Sequence, residues 1–441
     1  MARILIRRAE VRHRRVDVRI AGTHITDIGL LRPRRGELEL DAAGGALLPG
    51  LHDHHLHLLS MARATTSTPC GPPEVTDLAG LTRALRTAPG DRVRGIGYHE
   101  SVAGIPDRHL LDRLEPCRPV RVQHRGGALW LLNTPALTEL DLLGEVDDGR
   151  LWRADALLRE RLAEPAPDLA PVGRRLAALG ITGVTDATPN LTADTVALLT
   201  ESGLPQRLHL LGAPTGSRLP SHATVGPHKI LPPDHEAPDW DELRAEINEA
   251  HTRGRPVAVH AVTREALVVT LSAFAETGTI PGDRIEHAAM VGEESIPLIA
   301  DLGLVVVTQP GLLAARGSAY QRDIPEADHV DLYRYASLLN GGVRVSASSD
   351  APFADEDPWA TMRAAAAREL VPNERVRPSR VLRGMLAPPA DPGGSPRRVA
   401  RGAAADLCLL TTPITAALSA PRRDLVAATI CRGELVYQAG P

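Results

Sequence analysis

The pattern of hydrophobic and polar positions changes character along the chain. Residues 4–11, 16–20 and 24–30 read as short strands, with a turn at Ala21-Gly22-Thr23. Residues 405–410, 425–430 and 434–437 repeat that pattern near the other end, with a turn at Arg432-Gly433. Short strands bounded by glycine turns at both ends predict one small β-sandwich domain built from both termini, residues 1–48 and 400–441. Between them the period lengthens. Asp239 with Glu242 three residues on marks a helix start, Trp240, Leu243, Ile247 and Ala250 follow at helical spacing, and Gly254 ends it. A second helix runs through Leu267, Leu271 and Phe274 to Gly278.

Apolar strands alternate with these helices, which predicts a parallel sheet. The strand candidates are residues 46–57, 183–188, 208–212, 228–231, 257–260, 284–287, 304–309 and 343–350. Eight such strands predict an α/β fold of the (β/α)8 TIM-barrel type over residues 49–399. Residues of about 60–165 do not fit the repeat and read as an insertion after the first barrel strand. Residues 386–404, rich in Pro, Gly and Arg, read as a linker back to the β-domain.

Composition narrows the class. A chain of 441 residues suits one large α/β domain with an appendage. With only 2% aromatic residues, its core must rest on Leu, Val, Ile and Ala. A net charge of −4 gives no reason to expect nucleic acid or an anionic membrane as partner. No run approaches the roughly 18–20 apolar residues of a membrane span, and the arginine-rich start lacks the apolar stretch of a signal peptide. Cys70, Cys117, Cys408 and Cys431 are scattered without CxxC spacing, which predicts a reduced, cytoplasmic protein.

The candidate chemistry sits at strand ends. His52-Asp53-His54-His55-Leu56-His57 places four histidines in six positions at the end of an apolar strand. Alternate residues share a face, so His55 and His57 aim at one point while His52 and His54 face away. His260 and His287 end two later strands, Asp350 ends the last, and Lys229 lies in the predicted fourth. The spacings from Lys229 to His260 and from His260 to His287 each match one β/α unit, and His287 to Asp350 leaves room for two. One histidine at a strand end is more often structural. A set converging on the carboxyl end of a barrel predicts a metal site. Lys229 is also the one lysine in the chain, every other of the 50 basic residues being arginine. A primary amine can be deprotonated and modified where guanidinium stays charged.

Taken together, Pro49-Gly50, Asp53-His54-His55-Leu56-His57, Lys229, Val-Ala-Val-His260, Ile-Glu-His287 and Ser-Ser-Asp350-Ala-Pro resemble the amidohydrolase superfamily. The resemblance is to its metal-dependent hydrolase branch that includes N-substituted formamide deformylase, and it covers nearly the whole chain. It implies that His55, His57 and Asp350 hold one divalent metal ion and that His260 and His287 hold a second. Lys229, as N6-carboxylysine, would bridge the two. Zinc is the first choice of metal, with manganese or iron as alternatives. One departure is Ala261-Val262-Thr263 after His260, where many relatives carry Ile-Gly-Asp.

The implied activity is hydrolysis of a carbon–nitrogen bond other than a peptide bond. The substrate would be an N-acyl or N-formyl amine or a cyclic amide, attacked by a metal-bridging hydroxide. Asp350 would transfer the proton and Lys229 would complete the centre. His124, Tyr98, Arg125 and Gln309 are candidates for contacts with a small-molecule substrate, with self-association into a homo-oligomer left open. The rival readings are a mononuclear aminohydrolase acting on a heterocycle and a non-catalytic scaffold of the same fold. A Schiff-base lyase at Lys229 is the weakest.

Overall fold

The computed structural model describes residues 3–162, 165–233 and 236–440. Its strands in chain order are β1 (Arg3–Val11), β2 (Arg14–Ala21), β3 (His24–Gly29), β4 (Leu38–Asp41), β5 (Leu47–Pro49), β6 (Leu51–Leu56), β7 (Thr68–Pro69) and β8 (Val93–Tyr98). There follow β9 (Val120–His124), β10 (Leu129–Leu132), β11 (Arg150–Trp152), β12 (Ile181–Asp186), β13 (Arg207–Leu210), β14 (Ala223–Val225) and β15 (His228–Ile230). The remainder are β16 (Val257–Ala261), β17 (Arg284–His287), β18 (Val305–Thr308), β19 (Arg344–Ala347), β20 (Leu407–Leu410), β21 (Val426–Cys431) and β22 (Glu434–Gln438). The chain forms two compact units, one of Met1–Leu58 with Leu169–Pro441 and one of Leu59–Asp168.

In the first unit the terminal segments make two four-stranded sheets, ordered β3-β2-β1-β4 and β22-β21-β20-β5. Ile4 with Ile6, Val18 with Ile20, Leu407 with Leu409 and Ala428 with Ile430 are residues two apart, hence on one face of each strand. All of them meet in one apolar cluster. The middle of the unit carries two parallel sheets, β14-β13-β12-β6 and β15-β16-β17-β18-β19. β18 is buried along its whole length, and β16 at all but His260, as strands covered on both faces require. The segment after β19 is tied to the end of β6 by backbone bonds, Asp350 N–H to His55 O at 2.8 Å and His57 N–H to Ala351 O at 2.9 Å.

The helices between these strands follow the sequence signals. Helix Trp240–Thr252 is capped by the Asp239 side chain, which accepts from the Glu242 N–H, and it buries Leu243, Ile247 and Ala250. Helix Arg264–Thr277 stops at Gly278, whose φ of +76° only glycine adopts freely. The core is mainly aliphatic, with Trp359, Tyr335 and Phe274 among its largest fully buried side chains.

Two strands differ from expectation. The single strand expected over 46–57 breaks at Gly50: β5 pairs antiparallel with β20, whereas β6 pairs parallel with β12. A side chain at Gly50 would place its Cβ 2.1 Å from the Thr182 side chain, so the change of sheet needs glycine. The strand expected over 228–231 is preceded by an unforeseen one, β14. Gly226-Pro227 separates the two, and proline has no N–H to donate to a ladder.

The second unit is built on the sheet β11-β10-β9-β8-β7. Asp77, Asp107 and Asn133 cap its helices Leu78–Thr87, Arg108–Leu114 and Thr134–Glu139. Arg118 fastens it internally, donating to the carbonyls of Leu85, Ala88 and Gly90 and to Glu115. Burial pushes the Glu115 carboxyl up, but Arg118 and the N–H groups of Cys117 and Arg118 outweigh it and leave the pKa lowered. A carboxyl whose folded value is depressed contributes stability above its ordinary value, and loses it as pH falls through the folded one. Glu115→Gln is therefore expected to cost about 1–3 kcal/mol at neutral pH. That difference should shrink below about pH 4, as read by urea melts of both proteins across pH. Among the described residues no helix is long and apolar enough to cross a membrane.

Candidate metal centre

β6 delivers His55, and His57 follows one residue beyond its end. The segment after β19 brings Asp350 to both. Its Oδ1 lies 3.4 Å from His55 Nε2 and 3.4 Å from His57 Nε2, and one ligand atom from each of the three lies within 4.8 Å of the others. Asp53 fixes the register of this corner by accepting from the N–H of His55 at 3.1 Å and of Ser349 at 3.2 Å. Burial carries the Asp53 carboxyl up to about 6 against these bonds. Asp350 and His287 hold left-handed backbone angles, φ +59° and +71°. Non-glycine residues keep such angles where surrounding structure imposes them, commonly at functional sites.

His287 and His260 continue the cluster. Ring centroids are 5.4 Å apart for His55–His57, 4.8 Å for His55–His287 and 4.5 Å for His260–His287. Partners on the far ring nitrogens orient His55, His57 and His287. His57 Nδ1 lies 3.2 Å from Thr188 Oγ1, and His55 Nδ1 meets the Glu286 carboxylate. His287 Nδ1 lies 2.7 Å from Gln309 Oε1, while the Gln309 amide nitrogen donates to Ser348 Oγ at 3.0 Å and to Val307 O. With its N–H groups so used, Gln309 offers an acceptor, and His287 must carry its proton on Nδ1.

The electrostatics suit a cation. Burial, then the Lys229 charge, hold His55 well below its ordinary value; burial, then His260, do so for His287. Asp350 is raised by burial but lowered more by His57, His287 and His55, and ends far below the usual carboxylate range. Neutral imidazoles beside an ionised carboxylate are the protonation states that metal ligation requires. Lys229, 3% exposed on β15, is near enough for its charge to reach both His55 and His287.

Gln309, expected as a substrate contact, is engaged with His287 at the centre, and the Phe353 ring lies 5.6 Å from that of His57. His124, Tyr98 and Arg125 belong to the second unit. There His124 Nε2 meets Glu100 at 2.9 Å, and the buried Tyr98 hydroxyl donates to Gly104 O at 2.6 Å. His52 pairs with Thr185 and His54 with the Gly384 carbonyl, both buried. Sequence reasoning missed Glu286. Its signal was there: Arg284 and Glu286 sit two apart, on one face of a strand expected to be buried.

A His-His-Asp donor set at the ends of parallel strands, buried at His55 and Asp350 and half-buried at His57, fits a metal-dependent enzyme of the α/β class. The chain belongs to the amidohydrolase family, whose sequence model matches residues 38–437. It is thereby a hydrolase acting on carbon–nitrogen bonds other than peptide bonds. It is 26% identical to an N-substituted formamide deformylase of Arthrobacter pascens over 96% of this chain and 94% of that one. Two solved structures of uncharacterized metal-dependent hydrolases share the fold. One, from Pyrococcus furiosus, has a TM-score of 0.68 at 19% identity, covering 91% of this chain and 97% of the other. The second, from Pyrococcus horikoshii, has a TM-score of 0.69 at 18% identity, covering 98% and 100%.

Proposed function

We propose that this chain cleaves the carbon–nitrogen bond of a small N-formyl or N-acyl amine, or of a cyclic amide, at a centre of two divalent metal ions, zinc foremost. The observation that carries the reading is the buried Lys229 amine, set among His55 and His287 in a chain that otherwise uses arginine. His55, His57 and Asp350 would hold one ion, His260 and His287 the other, and Lys229 as N6-carboxylysine would bridge them. The printed activity of the Arthrobacter pascens relative supports the formamide end of this range.

The architecture belongs to the same proposal. Residues 49–399 would form a closed eight-stranded barrel in which β14 and β15 together serve as the fourth strand, with residues of about 60–165 inserted after the first. Residues 1–48 and 400–441 would form a β-sandwich. The four cysteines are free, which supports a reducing cytoplasm.

When bound, the metal ions supply Lewis acidity toward the substrate carbonyl and bring water close to neutral ionisation. Asp350, ionised and next to both His55 and His57, is placed to take the proton of the attacking water and pass it to the leaving nitrogen. The acceptors Gln309 and Glu286 keep His287 and His55 in one tautomer while that proton moves, and Thr188 steadies the His57 ring.

The mononuclear aminohydrolase reading is favoured by one observation: the three-donor group found among the described His, Cys, Asp and Glu residues comprises His55, His57 and Asp350 alone. Metal analysis separates the two readings. Dialysis against a strong chelator is expected to remove activity on an N-formyl amine, and zinc to restore it at two equivalents per chain. Full activity at one equivalent, or turnover of aminated heterocycles but not of amides, would transfer the assignment to the deaminase reading.

A further inference from the structure

We infer that the buried Arg284–Glu286 pair is a positioning device for His55. It holds the Nδ1–H of that imidazole and so turns its Nε2 toward His57 and Asp350. The inference rests on reading those three residues as a metal site.

Arg284 and Glu286 lie two apart on β17, on one face of the strand, and are 1% and 0% exposed. Each Glu286 oxygen has a separate task. Oε2 accepts from His55 Nδ1, and Oε1 accepts from Arg284 Nε at 2.6 Å. A neutral imidazole that donates from Nδ1 presents a bare lone pair at Nε2. That lone pair faces Asp350 Oδ1 at 3.4 Å, in the group of donors described above.

The pair makes little sense as a stabilising contact. Arg284 Nη1 and Nη2 are buried and have no hydrogen-bond partner among the described residues. Leaving charged donors unsatisfied in the interior is costly. A buried ion pair also often stabilises no better than apolar residues of the same volume. The one hydrogen bond that the Arg284 side chain makes among the described residues is to Glu286, so its charge serves to compensate that carboxylate. A carboxylate behind a ligating histidine fixes ring orientation and strengthens the ligand.

The test measures metal affinity on the full chain, by zinc competition with a chromophoric chelator and by the visible spectrum of the cobalt-loaded protein. Glu286→Leu is expected to weaken the first-bound metal about 10–100-fold and to shift the cobalt bands. Glu286→Gln keeps an acceptor oxygen at the same reach and should recover part of that loss. If Glu286→Leu does not fold, a several-fold weakening in Glu286→Gln together with cobalt bands displaced from those of the wild type carries the inference. Folded variants with wild-type affinity and spectrum would overturn it while leaving the metal site standing. A wild-type chain that binds no metal would overturn the metal site and this role together.

Discussion

Lys229→Arg is expected to reduce turnover by about a thousandfold or more while the fold survives. The replacement keeps the positive charge and nearly the length. A buried ion pair or a packed stem would tolerate it to a large extent. A carbamate would not: only a neutral amine adds CO2, releasing a proton and gaining two oxygen ligands. Guanidinium stays protonated at every pH a protein withstands. If Lys229 carries such a bridge, as proposed, losing it would forfeit several kcal/mol of transition-state stabilisation, which at about 1.4 kcal/mol per decade gives the stated loss. Metal content should fall from two ions per chain to one, and the intact mass of wild-type protein held under CO2 should exceed its sequence mass by one CO2, whereas that of the variant should match its own sequence mass. A variant that keeps both its metals and its rate would leave Lys229 with no part in the chemistry.

The second large effect is expected at Asp350. Asparagine matches its shape and retains an oxygen donor, but it cannot accept a proton. Asp350 lies 3.4 Å from the Nε2 atoms of both His55 and His57, and those imidazoles hold it ionised against its own burial. If it carries the proton from water to the leaving nitrogen, Asp350→Asn should lower kcat by about 10^2–10^4 with a much smaller change in KM. Metal-replete variant protein is the material for this measurement, because poor loading alone would also depress the rate. Unchanged kcat in fully loaded Asp350→Asn would remove the proton-transfer role.

Much of the centre was legible in sequence because its residues end apolar strands, and strand ends can be located from period and spacing. His55 with His57, and His260 with His287, are such cases; the structure brings each pair within 5.4 Å between ring centroids. What the sequence hid depends on neighbours distant along the chain. Gly50 looked like an interior strand residue; its role comes from Thr182 and Asp406, which meet it in space. Gln309 was rightly placed at a strand end, but its amide is occupied by His287 and Ser348. The Arg284–Glu286 spacing marked a charged pair in a buried strand, but nothing in it names His55, a residue of another sheet, as the partner of Glu286. The second unit departs from the strand–helix period, so the period could not say where His124 or Tyr98 would lie.

The corner where Asp53 accepts from the Ser349 N–H joins residues 296 positions apart. This has a temporal consequence. At ribosomal speeds of about 5–20 residues per second, roughly 15–60 s separate the emergence of His55 and His57 from that of Asp350. Until then the nascent chain offers two histidines without their carboxylate. Stable capture of an ion by these three residues would thus wait until Asp350 has emerged and the corner at Asp53 and Ser349 has closed.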